Sequence, residues 1–114
     1  MAVAIKPAPS ADTDAMAGMQ ENARAASMLL RAMSNERRLL ILCQLAHGGE
    51  KSVGELEKVV GLSQSALSQH LAKLREDGLV ATRRESQMIF YRLADPKAAR
   101  ILEALRSIYC PDPG

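Results

Sequence analysis

The stretch Leu62-Ser63-Gln64-Ser65-Ala66-Leu67-Ser68-Gln69-His70-Leu71-Ala72-Lys73-Leu74-Arg75-Glu76-Asp77-Gly78 carries a start, a stop and an apolar stripe typical of one helix. Ser63 is suited to be the N-cap, because its hydroxyl can accept a hydrogen bond from a free N–H of the first turn. Gly78 is suited to follow the last turn, since a left-handed backbone costs it no Cβ clash. Leucines at 67, 71 and 74 recur at helical spacing. The sequence therefore predicts an amphipathic helix here.

The opposite face of this predicted helix carries hydrogen-bonding side chains. An ordinary solvated helix usually shows Lys/Glu pairs on its outer face, and the first two turns here hold none. Amides and hydroxyls suit base edges and phosphate oxygens in a DNA major groove. We therefore predict a DNA-recognition helix in preference to an ordinary surface helix. The expected DNA contacts on it are Ser63, Gln64, Ser65, Ser68, Gln69, His70 and Lys73.

The segment before this helix predicts a shorter one. Ser52-Val53-Gly54-Glu55 fits a capping box, in which the serine caps the helix and the glutamate reaches back to the cap. An apolar stripe of Leu56, Val59 and Val60 follows, and Gly61 ends the helix. A short helix, a Gly-containing turn and a polar-faced second helix together predict a helix-turn-helix.

The segment after it predicts a β-hairpin. Leu79-Val80-Ala81-Thr82-Arg83-Arg84 and Met88-Ile89-Phe90-Tyr91-Arg92-Leu93 are rich in β-branched, aromatic and apolar residues, and Glu85-Ser86-Gln87 between them is polar. Such a hairpin would be the wing of a winged helix, near whose tip basic side chains can reach phosphates or the minor groove. The expected DNA contacts on the wing are Arg83, Arg84 and Gln87.

The remaining segments predict three further helices. One runs from about Asp14 to Met33, and one from Glu36 to about Ala46, capped by Ser34 or Asn35 and apolar nearly all round. The last opens at Asp95-Pro96, with the aspartate as N-cap. The predicted fold is mainly α with a β-hairpin wing, in the order α-α-α-α-β-β-α. We expect a mobile tail over residues 1–13 and a winged helix-turn-helix DNA-binding and dimerisation domain over 14–114.

The first and last helices carry apolar stripes that a winged-helix monomer does not need. On the first helix they include Met19, Ala26 and Leu30, and on the last they include Ile101, Leu105 and Ile108. A symmetric dimer would cover both stripes and bring two recognition helices to successive major grooves. We therefore predict a homodimer bound to double-stranded operator DNA.

Composition narrows the class of protein only weakly. The chain has 114 residues, a formal net charge of +2 and 47% hydrophobic residues, which is ordinary for one globular domain. No apolar run approaches the roughly 18 residues of a membrane span, and the N-terminus lacks the pattern of a secretory signal. We expect a cytoplasmic protein without a membrane partner. Since no acid/base pair or phosphate loop is present, we expect neither enzyme activity nor a cofactor.

The motifs together resemble the ArsR family of winged-helix repressors. The resemblance covers about Ala23 to Cys110 and implies a homodimer that represses transcription until an inducer lowers its affinity for DNA. The matching segments are Met33–Leu39, Ser52–Leu56, Ser63–Leu71, Leu74–Val80 and Arg83-Arg84 through Phe90–Leu93.

The residues that sense metals in two branches of that family are not matched here. Ser52 and Gly54 stand where the arsenic-sensing branch has cysteines. The zinc-sensing branch uses Asp and His on its last helix, and here that helix offers Asp95 and Glu103 without a histidine. A zinc site needs four N, S or O ligands. We therefore expect no metal site of either type.

The two cysteines of the chain, Cys43 and Cys110, are the predicted sensor. Their positions resemble the matching pair of the reactive-sulfur-sensing subgroup, the BigR/SqrR type. That resemblance implies that a persulfide or polysulfide is the inducer and that a bridge between the two thiols releases DNA. Three alternatives remain open: inert cysteines, since a buried Cys often only fills a core; a thiophilic metal or metalloid as inducer; and a winged helix that contacts only proteins.

Overall fold

The computed structural model describes residues 11–110, with side chains from Met16 onward, and these divide into two compact units after Arg31. Within this range no helix is long and apolar enough to cross a membrane. The elements, in chain order, are α1 (Ala11–Met33), α2 (Glu36–Gly48), β1 (Lys51–Ser52), α3 (Val53–Val60), α4 (Gln64–Glu76), β2 (Val80–Glu85), β3 (Met88–Leu93) and α5 (Pro96–Tyr109).

The first unit consists of most of α1, a helix of 23 residues. Its apolar side chains are open to solvent on the single chain: Met16, Met19, Met28 and Leu30 are all more than half exposed. The helix begins at Ala11, three residues before the predicted start. The predicted tail over residues 1–13 lies largely outside the described residues, and the single domain over 14–114 stays a prediction.

The second unit is built around α2, which packs against α3, α4, β3 and α5. Asn35 caps it and accepts hydrogen bonds from the N–H groups of residues 37 and 38. Ile41, Leu42 and Leu45 are buried. Leu40 is 41% exposed, so one side of this largely apolar helix is open to solvent on the single chain. The neighbours of α2 cover one broad side of it and leave the other open.

The helix-turn-helix is formed by α3 and α4, and the predicted caps are confirmed. The Ser52 hydroxyl accepts from the Glu55 N–H, and the Glu55 carboxylate accepts from the Ser52 N–H, which completes the capping box. Ser63 caps α4 by accepting from the Ala66 N–H, and Gly78 follows that helix with a φ of +77°. The leucines at 67, 71 and 74 are fully buried, so the packing of α4 is set by its predicted apolar face.

The wing is part of a three-stranded antiparallel sheet with the strand order β1-β3-β2. In the hairpin, Val80 pairs with Leu93 and Glu85 pairs with Met88, which leaves residues 86 and 87 at the tip. The sequence predicted the hairpin and missed β1, whose two residues pair with Tyr91 and Phe90. A strand this short carries no periodicity of its own, and its pairing with a distant strand defines it.

The last helix, α5, begins as predicted, with Asp95 accepting from two backbone N–H groups and Pro96 in the first turn. Ala98 and Leu102 face the core. Ile108 and Tyr109 are 67% and 77% exposed. The helix therefore uses its first half to pack within the unit and exposes apolar side chains near its end. The fold is a winged helix-turn-helix with the predicted order of helices and hairpin, to which the structure adds β1.

Candidate functional site

The outer face of α4 presents polar side chains that have no partner among the described residues. Gln64, Ser68 and Gln69 are exposed and form no side-chain hydrogen bond with any described residue. Their helix is held in place from behind by its buried leucines. A rigid helix with unsatisfied amides and a hydroxyl on its outer face can donate to and accept from base edges.

The other residues of α4 that were predicted to contact DNA differ in how far their side chains are engaged by intramolecular hydrogen bonds and ion pairs. The Ser63 hydroxyl is used by the N-cap and lies 3.4 Å from the Ser65 hydroxyl. The Lys73 ammonium lies 3.6 Å from Asp77 and 4.0 Å from Glu76. These ion pairs are exposed, and exposed pairs are weak and readily exchanged for another anion. His70 is half-buried on the side of the helix.

The two wing arginines that were predicted to contact DNA, Arg83 and Arg84, differ in their partners. Arg83 donates through Nε and Nη2 to the Glu50 carboxylate, at 3.0 and 2.7 Å, and through Nη1 to Glu85 at 2.6 Å. Its guanidinium carbon lies 4.7 Å from the centroid of the Phe90 ring. Arg84 is exposed, and its side chain forms no hydrogen bond or ion pair with any described residue. Gln87 at the tip is exposed as well.

The carboxylates around Arg83 were not among the residues predicted from sequence. Glu50 follows α2 and lies 33 residues before Arg83, so no local spacing connects the two. Hydrogen bonds from Arg83, with smaller contributions from the charges of Arg83 and Arg92, hold the pKa of Glu50 below its ordinary value. The same two carboxylates raise the pKa of Arg83 further above its already high value. From the sequence, a correct alignment of the hairpin strands could have predicted only that Arg83 lies opposite Phe90.

The predicted sensor residues lie on helices that pack against each other. Cys43 is half-buried on α2, and Cys110 is exposed at the end of α5. Burial and then the negative charge of a Cys110 thiolate raise the pKa of Cys43 above its ordinary value. The two thiols are therefore within electrostatic range, although 67 positions separate them in the sequence. Both cysteines are free thiols.

Metal ligands are not grouped in the part of the chain that the structure describes. No cluster of three or more His, Cys, Asp or Glu side chains is positioned to hold a metal ion among residues 16–110. The same range contains the free thiols of Cys43 and Cys110. The arrangement offers a polar surface for binding and a thiol pair for exchange chemistry.

The fold and this surface define a class of protein, the winged-helix DNA-binding regulators. A family model described as the bacterial regulatory protein, arsR family, matches residues 35–82, which run from the cap of α2 into β2. The chain is 54% identical to the transcriptional activator HlyU of Vibrio cholerae over 92 residues, which span 81% of this chain and 84% of that protein. The chain belongs to the ArsR family of bacterial transcriptional regulators.

Solved structures agree with this assignment. The crystal structure of the transcriptional repressor BigR from Xylella fastidiosa matches with a TM-score of 0.78 and 44% identity, over 85% of this chain and 98% of that one. A homodimeric winged helix-turn-helix domain from Mycobacterium bovis, described as a possible ArsR-family regulator, matches with a TM-score of 0.67 and 30% identity, over 79% and 82%. These relatives are named as transcriptional regulators or as a possible ArsR-family regulator.

Proposed function

We propose that the chain is a homodimeric repressor that releases operator DNA when a persulfide or polysulfide bridges Cys43 to Cys110. The observation that carries the sensing part is the placement of the two thiols on the packed helices α2 and α5, within electrostatic range of each other. Resemblance to a homodimeric domain supports the assembly. Resemblance to the repressor BigR supports repression as the direction of control, whereas HlyU is named an activator.

The DNA surface consists of the outer face of α4 and the exposed part of the wing. The side chains at 64, 68 and 69 read base edges, and in support of this they are exposed and have no hydrogen-bond partner among the described residues. Ser65, Lys73, Arg84 and Gln87 contact the phosphate backbone, and Ser63 and His70 support the helix start and side. Arg83 also belongs to the predicted surface.

Dimerisation explains the apolar side chains that the single chain leaves open. Met19 and Leu30 of α1 are 63% and 52% exposed, and Ile108 of α5 is 67% exposed. Exposed apolar residues grouped on a helix face mark a protein–protein interface. We expect Leu105→Glu to bury an unpaired charge in this interface. Sedimentation should show monomers, and an unchanged dimer would place the interface elsewhere.

The switch begins at Cys110, which is exposed, whereas Cys43 is half-buried with a raised pKa. A thiolate attacks more readily when it is accessible and charged. The Cys110 thiolate attacks the outer, sulfane sulfur of a persulfide R–S–SH. The donor S–S bond breaks, RS⁻ leaves, and Cys110 becomes a persulfide.

Cys43 completes the bridge. Its thiolate attacks Sγ of the Cys110 persulfide, the terminal sulfur leaves as HS⁻, and a disulfide forms. Two thiols are oxidised in this sequence, and the sulfane sulfur is reduced to sulfide. If Cys43 has also become a persulfide, the terminal sulfur of one persulfide attacks Sγ of the other, and a trisulfide and HS⁻ result. A bridge joins α2 to α5 and changes how the dimer presents its two recognition helices.

Treatment with glutathione persulfide, followed by mass spectrometry and a DNA-binding titration, tests this switch. Wild type should gain an intrachain bridge and lose about a hundredfold in DNA affinity, which needs a bias of about 2.7 kcal/mol between its two states. Cys43→Ser and Cys110→Ser should bind DNA untreated and stay bound after treatment. In Cys43→Ser the persulfide should accumulate on Cys110, because the resolving thiol is absent.

The same titration separates the alternatives. Release of DNA by both single variants would support inert cysteines and overturn the thiol switch. Release by wild type on addition of arsenite or Cd²⁺, without any mass gain from sulfur, would favour a thiophilic metal or metalloid. Failure of the reduced dimer to bind any DNA would favour a winged helix that contacts only proteins.

A further inference from the structure

We propose that Arg83 is a positioning residue that fastens the wing to the end of α2, and that of the adjacent pair Arg83 and Arg84 only Arg84 contacts the DNA phosphates. This rests on the proposed DNA-binding function, which predicted both arginines as contacts. The observation behind it is the set of partners that Arg83 already has.

All three nitrogen atoms of the Arg83 guanidinium donate hydrogen bonds. Nε and Nη2 together grip one carboxylate, that of Glu50, and Nη1 donates to Glu85. A fork of this kind fixes direction as well as distance, which an isolated charge pair does not. The ring of Phe90, the cross-strand neighbour of Arg83, supports the guanidinium plane at 4.7 Å. Arg83 thus joins β2 and β3 to the segment between α2 and β1.

The charge of Arg83 is also cancelled where it lies. Two carboxylates contact it, and Arg92 is the further cation that acts on Glu50. A DNA phosphate that approached Arg83 would meet both carboxylates and would have to displace one of them. Neutralisation of phosphates by free cations dominates the affinity of proteins for DNA and its salt dependence. Arg83 has little charge left to contribute to this term.

Arg84 has the properties that Arg83 lacks. Successive side chains of a strand point to opposite faces, so Arg84 lies on the face away from the Glu50 carboxylate. Its cross-strand neighbour is Ile89, which carries no charge. Its side chain is exposed and forms no ion pair with the described residues. The two arginines are adjacent, have the same charge and differ in their partners, so each is the control for the other.

Salt-dependent DNA titrations of Arg83→Ala, Arg84→Ala and Glu50→Gln test the proposal. Arg84→Ala should reduce the slope of log K against log salt by about one, as expected for one lost phosphate contact. Arg83→Ala and Glu50→Gln should each weaken binding by about two- to fivefold, the range of an exposed ion pair, without changing the slope. The double variant Arg83→Ala/Glu50→Gln should bind DNA no more weakly than either single variant, because both substitutions remove the same contact.

If Arg83 contacted a DNA phosphate, the salt slope of Arg83→Ala and the affinity of Glu50→Gln would change in the opposite way. Arg83→Ala would then reduce the slope, and Glu50→Gln would free the guanidinium and bind DNA more tightly than wild type. Either result would overturn the proposal. Arg83→Lys adds a milder variant, since lysine keeps the charge but cannot form the fork. It should weaken binding as Arg83→Ala does, whereas a phosphate-contacting residue should tolerate the exchange.

Amide hydrogen exchange tests the fastening without DNA. Exchange at the wing residues 83–90 should rise in Arg83→Ala and Glu50→Gln and stay unchanged in Arg84→Ala, with α4 unaffected in all three. Unchanged exchange in the first two variants would overturn the fastening role. A wild-type protein that binds no DNA would overturn the proposed function and the role of Arg84, and the exchange data would still decide on Arg83.

Discussion

Gln64 and Gln69 on the outer face of α4 and Arg83 on the wing are all polar and exposed, yet only the two glutamines are left without partners among the described residues. Gln64 and Gln69 have no internal hydrogen bonds among the described residues, whereas Arg83 donates to two carboxylates and covers an aromatic ring. A polar residue on a DNA-binding fold can therefore act on the ligand or on the fold. Its internal partners decide which, and its residue type does not.

Among the substitutions that we consider, we expect the largest loss of stability from one in the buried leucines behind the polar face of α4. Leu71 is fully buried, and Leu71→Ala removes core contacts and leaves a cavity. We expect the free energy of unfolding to fall by about 2–5 kcal/mol. Denaturant titration followed by circular dichroism measures it. A loss within ~0.5 kcal/mol, the range of ordinary surface substitutions, would mean that α4 is not anchored through this face.

The next largest expected effect is a loss of DNA affinity on substitution of a residue on the polar face of α4. Gln69→Ala should leave the free energy of unfolding unchanged and weaken binding to the operator by about 1–3 kcal/mol, the value of a good side-chain contact to a base. The preference among bases at one operator position should relax at the same time. A library of operator variants measured with both proteins would show this. A uniform loss across all sequences would instead assign Gln69 to the phosphate backbone.

Local signals explain why the recognition helix was predictable. Ser63 and Gly78 act within their own turns, and the leucines of α4 recur at helical spacing, so neighbours in the sequence define the element. The capping box of α3 is equally local, with its two partners three positions apart. The same holds for Asp95 at the start of α5. Each prediction of this kind was confirmed.

Contacts between distant segments explain what was missed. β1 exists because Lys51 and Ser52 pair with β3, and the partners of Arg83 come from a segment 33 positions away. The exposure of Leu40 likewise depends on where the neighbours of α2 end. None of these features leaves a period or a motif in the sequence. Cys43 and Cys110 are likewise far apart in the sequence, and the prediction that they act as a pair rests only on a family resemblance.

The smallest expected effect is the pH dependence of the ion pair between Arg83 and Glu50 on the wing. Hydrogen bonds from Arg83, helped by the charges of Arg83 and Arg92, hold the pKa of Glu50 below its ordinary value of 4.5. A depressed pKa in the folded state stabilises the fold above the unfolded pKa, and this contribution is lost as the pH falls through the folded value. The fastening of the wing should therefore be intact at neutral pH and weaken only in acid.

Carboxyl-detected NMR titration should find Glu50 with a midpoint below 4.5, which rises toward that value in Arg83→Ala. Glu55 also has a lowered pKa, through the capping box, so acid weakens α3 as well. Glu50→Gln separates the two contributions, because it removes the wing carboxylate and leaves the capping box intact. Between pH 7 and 3 the thermal midpoint of this variant should fall less than that of wild type. Equal falls in the thermal midpoint would show that Arg83 does not stabilise the ionised carboxylate of Glu50 in the folded protein. The distinction between an engaged Arg83 and a free Arg84 would then be wrong.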